Sequence, residues 1–332
     1  MTTRSHLSHA ELFLGIQKGD SSALARGITL MESSQEADKQ KAYALLDLCL
    51  PVKKRCTRLG ITGVPGVGKS TFIEALGELV TREGKKVAVL AIDPSSTLSK
   101  GSILGDKTRM PELAKNPQAF IRPSPAGQNL GGVARNTREA MMLCEAAGFD
   151  LILIETVGVG QSEIAVHSMV DFFLLLQLAG AGDELQGIKR GIMEMADALV
   201  INKADGDNFQ RAEEARSSYQ RALALYPPKK NGWVTQVLSC SSLEKTGIQE
   251  VWELIKGYMS RYWDNEYLQA HRSEQNAYWF KQSLESLIKE EFYSNLAVRK
   301  EFDRLMDQVV LERISPFQAA HLLLQTYKQE LK

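Results

Sequence analysis

The chain has 332 residues, which at about 150 residues per domain allows one large domain with appendages or two domains. Its 40 Lys and Arg balance 40 Asp and Glu, so the basic excess of a nucleic-acid binder is missing and no nucleic-acid partner is expected. Hydrophobic residues at 44% and charged residues at 24% are ordinary for a globular protein. The longest largely apolar run, between Asp171 and Asp183, is short of the roughly 20 residues that cross a bilayer, so no membrane partner is expected either.

The first ten residues are polar and Glu11 follows, without the charged-then-apolar layout of a signal peptide, which points to a cytoplasmic location. Cys49, Cys56, Cys144 and Cys240 are scattered without CxxC spacing and read as reduced thiols of a reducing compartment. His6, His9, His167, His271 and His321 are dispersed too, and no zinc site follows from local spacing.

In chain order, residues 1–56 form a helical extension, with AELFLGIQ, SSALARGITLMES and QEADKQKAYALLDLC showing apolar residues every three or four positions. From Arg58 short apolar runs alternate with amphipathic stretches: RLGITG, KVAVLAID, AFIRP, DLILIETVG, DFFLLLQLA, DALVINK and VTQVLSC. That alternation predicts an α/β fold over residues 57–263, a mainly parallel sheet flanked by helices. Residues 264–332 return to helical period without a strand signal, and Pro316 after Ser315 suits a first helical position.

Gly63-Val64-Pro65-Gly66-Val67-Gly68-Lys69-Ser70, followed by Thr71, is a complete G-x-x-x-x-G-K-S between a strand run and a helix run, the setting of a P-loop NTPase. Glycines there let backbone amides turn toward phosphate oxygens at a helix N-terminus. Lys69 would reach the β- and γ-phosphates, and the Ser70 hydroxyl would bind Mg²⁺. Asn202-Lys203-Ala204-Asp205 ends a strand run as N-K-x-D, and the Asp205 carboxylate can accept from the guanine N1–H and 2-amino group, which adenine does not offer. GTP or GDP is therefore the expected nucleotide. Ser241-Ser242-Leu243, ahead of Gly247-Ile248, resembles the serine-containing loop that supports the guanine ring in GTPases, although a helix cap is an equal use of either serine.

Asp93, Asp106 and Glu155 stand at strand ends or in polar loops, where carboxylates complete the shell of a Mg²⁺ held by Ser70. Residues 158–163 and 180–189 are glycine-rich and read as switch loops. Gln161, Lys189 and Arg109 are candidates to orient water or offset transition-state charge beside Lys69 and Glu155, and spacing does not rank them.

Together with Asp93-Pro-Ser-Ser, Gly105-Asp106-Lys-Thr-Arg109-Met110, Gly127-Gln-Asn129-Leu-Gly-Gly132 and Glu155-Thr-Val-Gly-Val-Gly-Gln-Ser-Glu163, these motifs resemble the MeaB/ArgK/MMAA family of SIMIBI-class GTPases along essentially the whole chain. The resemblance implies a GTPase chaperone of adenosylcobalamin-dependent methylmalonyl-CoA mutase that gates cofactor loading and protects the mutase from inactivation. It also implies a homodimer joined through the C-terminal helices, Mg²⁺ at Ser70, Asp93, Asp106 and Glu155, and a third switch near residues 177–189. Lys100 departs from the glycine usual in relatives. Two other classes stay open: a P-loop kinase of the arginine/ornithine transport type, against which N-K-x-D argues, and a metallochaperone GTPase, which would need a Cys/His cluster.

Overall fold

The computed structural model describes residues 7–33, 35–52, 54–92, 109–123, 130–156, 162–180 and 190–330. Ser8 opens helix α1 (His9–Gln17) with a reciprocal cap: its hydroxyl accepts from the Glu11 amide, and the Glu11 carboxylate accepts from the Ser8 amide at 2.8 Å. Asp20 caps α2 (Ser21–Met31) through the Ser22 amide at 2.8 Å, and α3 (Glu36–Cys49) follows.

The chain then runs through β1 (Thr57–Gly63), α4 (Lys69–Arg82), β2 (Val87–Ile92), a 3-10 turn at Leu113–Lys115, and β3 (Ala119–Pro123). Helix α5 (Leu130–Ala146), β4 (Leu151–Thr156), α6 (Ser162–His167), β5 (Phe172–Leu178) and α7 (Arg190–Met195) come next. The last strands are β6 (Ala198–Asn202) and β7 (Gln236–Ser239), separated by α8 (Phe209–Leu223) and followed by α9 (Ile248–Trp263) and α10 (Tyr267–Ser294). The helices of the N-terminal extension meet α5 at Gly27, where an added Cβ would stand 3.2 Å from Leu143 and 3.3 Å from Ile16 and Leu45.

All strand pairings are parallel, in the order β3-β2-β4-β1-β5-β6-β7. Every apolar run singled out in the sequence supplies one of these strands. Because both faces of the sheet are covered, the central strands are apolar throughout rather than alternating. Leu59, Ile61, Phe172, Leu174 and Leu176 pack with Phe72 and Leu76 of α4 and with Val251 and Ile255 of α9. On the opposite face Gly60 lets α6 approach: a Cβ there would meet Val166 at 2.8 Å.

The strand order switches sides at β1, with β4, β2 and β3 on one side and β5, β6 and β7 on the other, all running the same way. Such a switch point opens a crevice at the carboxyl ends of the strands, where open α/β sheets bind ligands. The amino ends are closed by buried charge. Arg58 grips Glu145 at 2.7 Å, Arg272 grips Asp171 at 2.6 Å, and the Asp171 carboxylate also accepts from the Arg58 amide at 2.9 Å.

The chain divides into two compact units, Met1–Gln275 and Asn276–Lys332, with the division inside α10. The second unit holds the rest of α10, α11 (Leu296–Val310) and α12 (Pro316–Glu330) around a small core of Val298, Leu305, Ala319 and Leu323. Its α10 segment leaves Phe280, Leu284, Leu287 and Ile288 exposed at helical spacing. Among the described residues no helix is long and apolar enough to cross a membrane, and all four cysteines are free and buried.

Candidate functional site

The loop between β1 and α4 is shaped by its glycines. A Cβ on Gly63 would stand 2.5 Å from the Leu176 carbonyl of β5, so only a residue without one lets the strand turn there. Gly68 caps α4 in the left-handed conformation at φ 94°, which leaves the first amides of α4 facing the loop.

Lys69 opens α4 and is 8% exposed; its ammonium donates to the carbonyls of Gly63 at 2.8 Å and Val64 at 3.3 Å. Burial lowers its pKa from the usual lysine range, while the Glu155 and Glu163 carboxylates oppose the shift and Arg109 adds to it. Glu163 closes a motif in the sequence, and its burial on the short helix α6 has no sequence signature. Next to Lys69, the Ser70 hydroxyl donates to Glu155 Oε1 at 3.2 Å, joining the start of α4 to the end of β4. A hydroxyl and a carboxylate at this separation are hard oxygen donors of the kind Mg²⁺ takes. Asp93 and Asp106 lie outside the described residues, as do Gln161, Lys189, Lys100 and residues 127–129.

The N-K-x-D run leaves β6 beside this loop. Asn202 is 1% exposed and its side chain is fully engaged: Nδ2 donates to the Val67 carbonyl at 2.8 Å, and Oδ1 accepts from the Ser242 amide at 3.1 Å and the Ser242 hydroxyl at 2.7 Å. The Cys240 thiol also donates to Oδ1, at 3.5 Å, and burial pushes its pKa up to about 12. Lys203 adopts φ 60°, a left-handed conformation uncommon outside glycine, and its side chain is exposed. Asp205 accepts a short hydrogen bond from the Ser241 hydroxyl, which itself accepts from the Glu244 amide at 3.0 Å. Leu243 stands 78% exposed on the same loop.

The site residues within the described part of the chain thus converge on one end of the sheet. Lys69, Ser70 and Glu155 form one cluster, and Asn202, Asp205, Ser241 and Ser242 form another. Val67 and Asn202 join them. Cys240, which the sequence offered only as a thiol, proves to be one of the donors that orient Asn202.

A sequence model of the family described as methylmalonyl-CoA mutase-associated GTPase MeaB matches residues 24–297. The chain is 47% identical over 302 residues to GTPase ArgK of Escherichia coli, covering 91% of this chain and 90% of that one. It is 42% identical over 327 residues to the mitochondrial methylmalonic aciduria type A homolog of Mus musculus, covering 96% and 79%. Among solved structures, one described as LAO/AO transport system kinase superposes with a TM-score of 0.76 at 38% identity, over 99% of each chain.

Proposed function

The chain belongs to the MeaB family of methylmalonyl-CoA mutase-associated GTPases and is a GTP hydrolase, and on that basis we propose that it serves as the GTP-driven chaperone of an adenosylcobalamin-dependent methylmalonyl-CoA mutase. In this role it gates cofactor loading and protects the mutase from inactivation. The name of the mouse relative, which spans nearly the whole of this chain, supports the assignment. The observation that carries the nucleotide-gated part is the Asn202 side chain, which bonds the phosphate loop at Val67 and the base loop at Ser242. Occupancy at either loop is therefore felt at the other.

Residues Gly63 to Thr71 cradle the phosphates, with Lys69 directed at the β- and γ-phosphates once its ammonium leaves the Gly63 and Val64 carbonyls. Asp205 reads the guanine edge, oriented by Ser241. The stem of Lys203 and the exposed Leu243 flank the ring. Ser70 and Glu155, with Asp93 and Asp106, would hold Mg²⁺, which when bound offsets phosphate charge. Gln161 and Lys189 complete the catalytic set with Lys69 and Glu155 by orienting water and offsetting developing charge.

The exposed stripe of Phe280, Leu284, Leu287 and Ile288 suits the homodimer and the arm-like role proposed for residues 264–332. Residues 1–56 and 57–263 then serve as helical extension and GTPase domain, in the cytoplasm.

The test is a GTPase assay with and without the mutase recovered by pull-down from the source cell. A faster turnover with the mutase is expected; an unchanged rate removes the chaperone reading. The kinase description of the solved neighbour favours a second reading, phosphoryl transfer to a protein or small molecule. Labelled γ-phosphate appearing on a partner instead of as free phosphate would establish it.

A further inference from the structure

The base-supporting loop is held at two places. Its base is fixed by backbone, with the Cys240 amide donating to the Ile201 carbonyl of β6 at 2.8 Å and the Ser241 amide closing the loop on the Thr246 carbonyl at 3.0 Å. Its outer turn is held by a side chain. Lys245 sits at φ 59°, and its ammonium reaches both oxygens of Glu78 on α4, at 3.0 and 2.8 Å. Glu78 is well covered, its side chain 15% exposed, and it also accepts from Arg82 at 2.9 Å. A lysine in a left-handed turn is backbone strain that the surrounding contacts must hold in place.

Helix α4 is the helix whose first turn forms the phosphate cradle. The Lys245–Glu78 pair therefore ties the loop carrying Ser241, Ser242 and Leu243 to the phosphate-binding helix from outside. From inside, Asn202 ties the same loop, at Ser242, to the Val67 carbonyl of the loop that leads into α4. Outer and inner ties differ in exposure: Asn202 is buried, whereas the Lys245 side chain is 48% exposed and open to salt.

We propose that Lys245 is a positioning residue of the guanine-nucleotide site: paired with Glu78, it holds the base-supporting loop against α4 and slows release of GDP and GTP without touching either. The proposal rests on the guanine assignment of this site. Removal of Lys245 leaves Glu78 paired with Arg82, so the effect falls on the tether and not on an orphaned buried charge.

The test uses the full-length protein loaded with a fluorescent GDP analogue and chased with excess GDP. Lys245→Ala and Glu78→Gln should each speed release by about two- to fivefold, the range of a partly exposed ion pair of roughly 0.4–1 kcal/mol. Lys245→Arg should keep the wild-type rate. The double variant Lys245→Ala/Glu78→Gln should be no faster than the faster single one, because the two act through one contact. Raising salt from about 50 to about 500 mM should speed release from the wild type by a larger factor than from Lys245→Ala. An unaltered release rate in Lys245→Ala, or additive effects in the double variant, overturns the proposal. Failure of the wild type to retain the analogue would instead sink the guanine assignment.

Discussion

The Asn202 side chain donates to the Val67 carbonyl at 2.8 Å across 135 residues of sequence, and through this contact the end of β6 is locked to the phosphate loop. Asn202→Ala leaves that carbonyl, the Ser242 amide and the Ser242 hydroxyl without their partner in a buried place. A loss of about 2–4 kcal/mol in unfolding free energy is expected, since unsatisfied buried groups cost about 1–3 kcal/mol each and solvent recovers part of it. Urea unfolding of the nucleotide-free protein measures it. A loss below about 1 kcal/mol would mean that the two loops are joined by other contacts.

Asp205 is oriented by the Ser241 hydroxyl, so its carboxylate is preset to accept. Asp205→Asn replaces an acceptor with a donor on one side and should weaken GTP binding by roughly 100-fold, the equivalent of losing about 3 kcal/mol of charge-assisted hydrogen bonds. Xanthosine triphosphate, which carries an oxygen where guanine carries its 2-amino group, should bind the variant better than GTP does. Titration calorimetry with both nucleotides settles the point, and equal binding of GTP and ATP by the wild type would contradict the base assignment.

The fold was legible because burial on both faces writes each central strand as a continuous apolar run, as in Leu151 to Ile154, and because parallel pairing forces a helix between successive strands. The site was legible where a motif is contiguous. Glycines, Lys69 and Ser70 are close in sequence because one turn of backbone must surround a phosphate. Contacts between distant segments left no such trace: the bond of Asn202 to Val67 and the pairing of Lys245 with Glu78 across 167 residues depend on which strands become neighbours. The division of the chain after Gln275 is equally silent, since α10 keeps an unbroken helical period through it.

Two glycines of the phosphate loop, both at positive φ, differ in whether a steric obstacle adds to the conformational cost. At Gly63 a Cβ would meet the Leu176 backbone oxygen at 2.5 Å, an obstacle that no side-chain rotation relieves. Gly63→Ala should therefore lose about 2–3 kcal/mol of stability together with nucleotide binding, as overpacking does. At Gly66, with φ 79°, nothing lies within 4 Å of an added Cβ. Gly66→Ala should lose only the left-handed penalty of about 1 kcal/mol. Thermal or urea unfolding of the pair checks the order, and a Gly66 variant as unstable as the Gly63 variant would refute the steric account.

Acid should act on the protein in two stages. His167, half-buried at the end of α6 with its ring edge-on to Phe173 at 5.5 Å, has its pKa pushed down by burial to about 4 from 6.5. The Asp197 charge opposes the shift, and Lys229 and His271 add to it. The unfolded chain thus takes up a proton near pH 6.5 that the folded protein refuses until about pH 4. The stability linked to His167 is complete above the higher value and declines through this window by up to about 1.4 kcal/mol per pH unit. Asp171 acts lower: burial opposes its ionisation, but Arg272 and Arg58 outweigh burial and hold its carboxyl below the usual range. Its contribution is present above the ordinary carboxylate pKa and disappears only as pH falls through the lowered folded value. Urea midpoints should be flat from about pH 8 to 7, fall from about pH 6.5 to 4.5, and fall further below. His167→Phe should flatten the first decline, by on the order of 1–2 kcal/mol at pH 5, and leave the second in place. An unchanged slope in the variant between pH 6.5 and 5 would assign the first decline to another group.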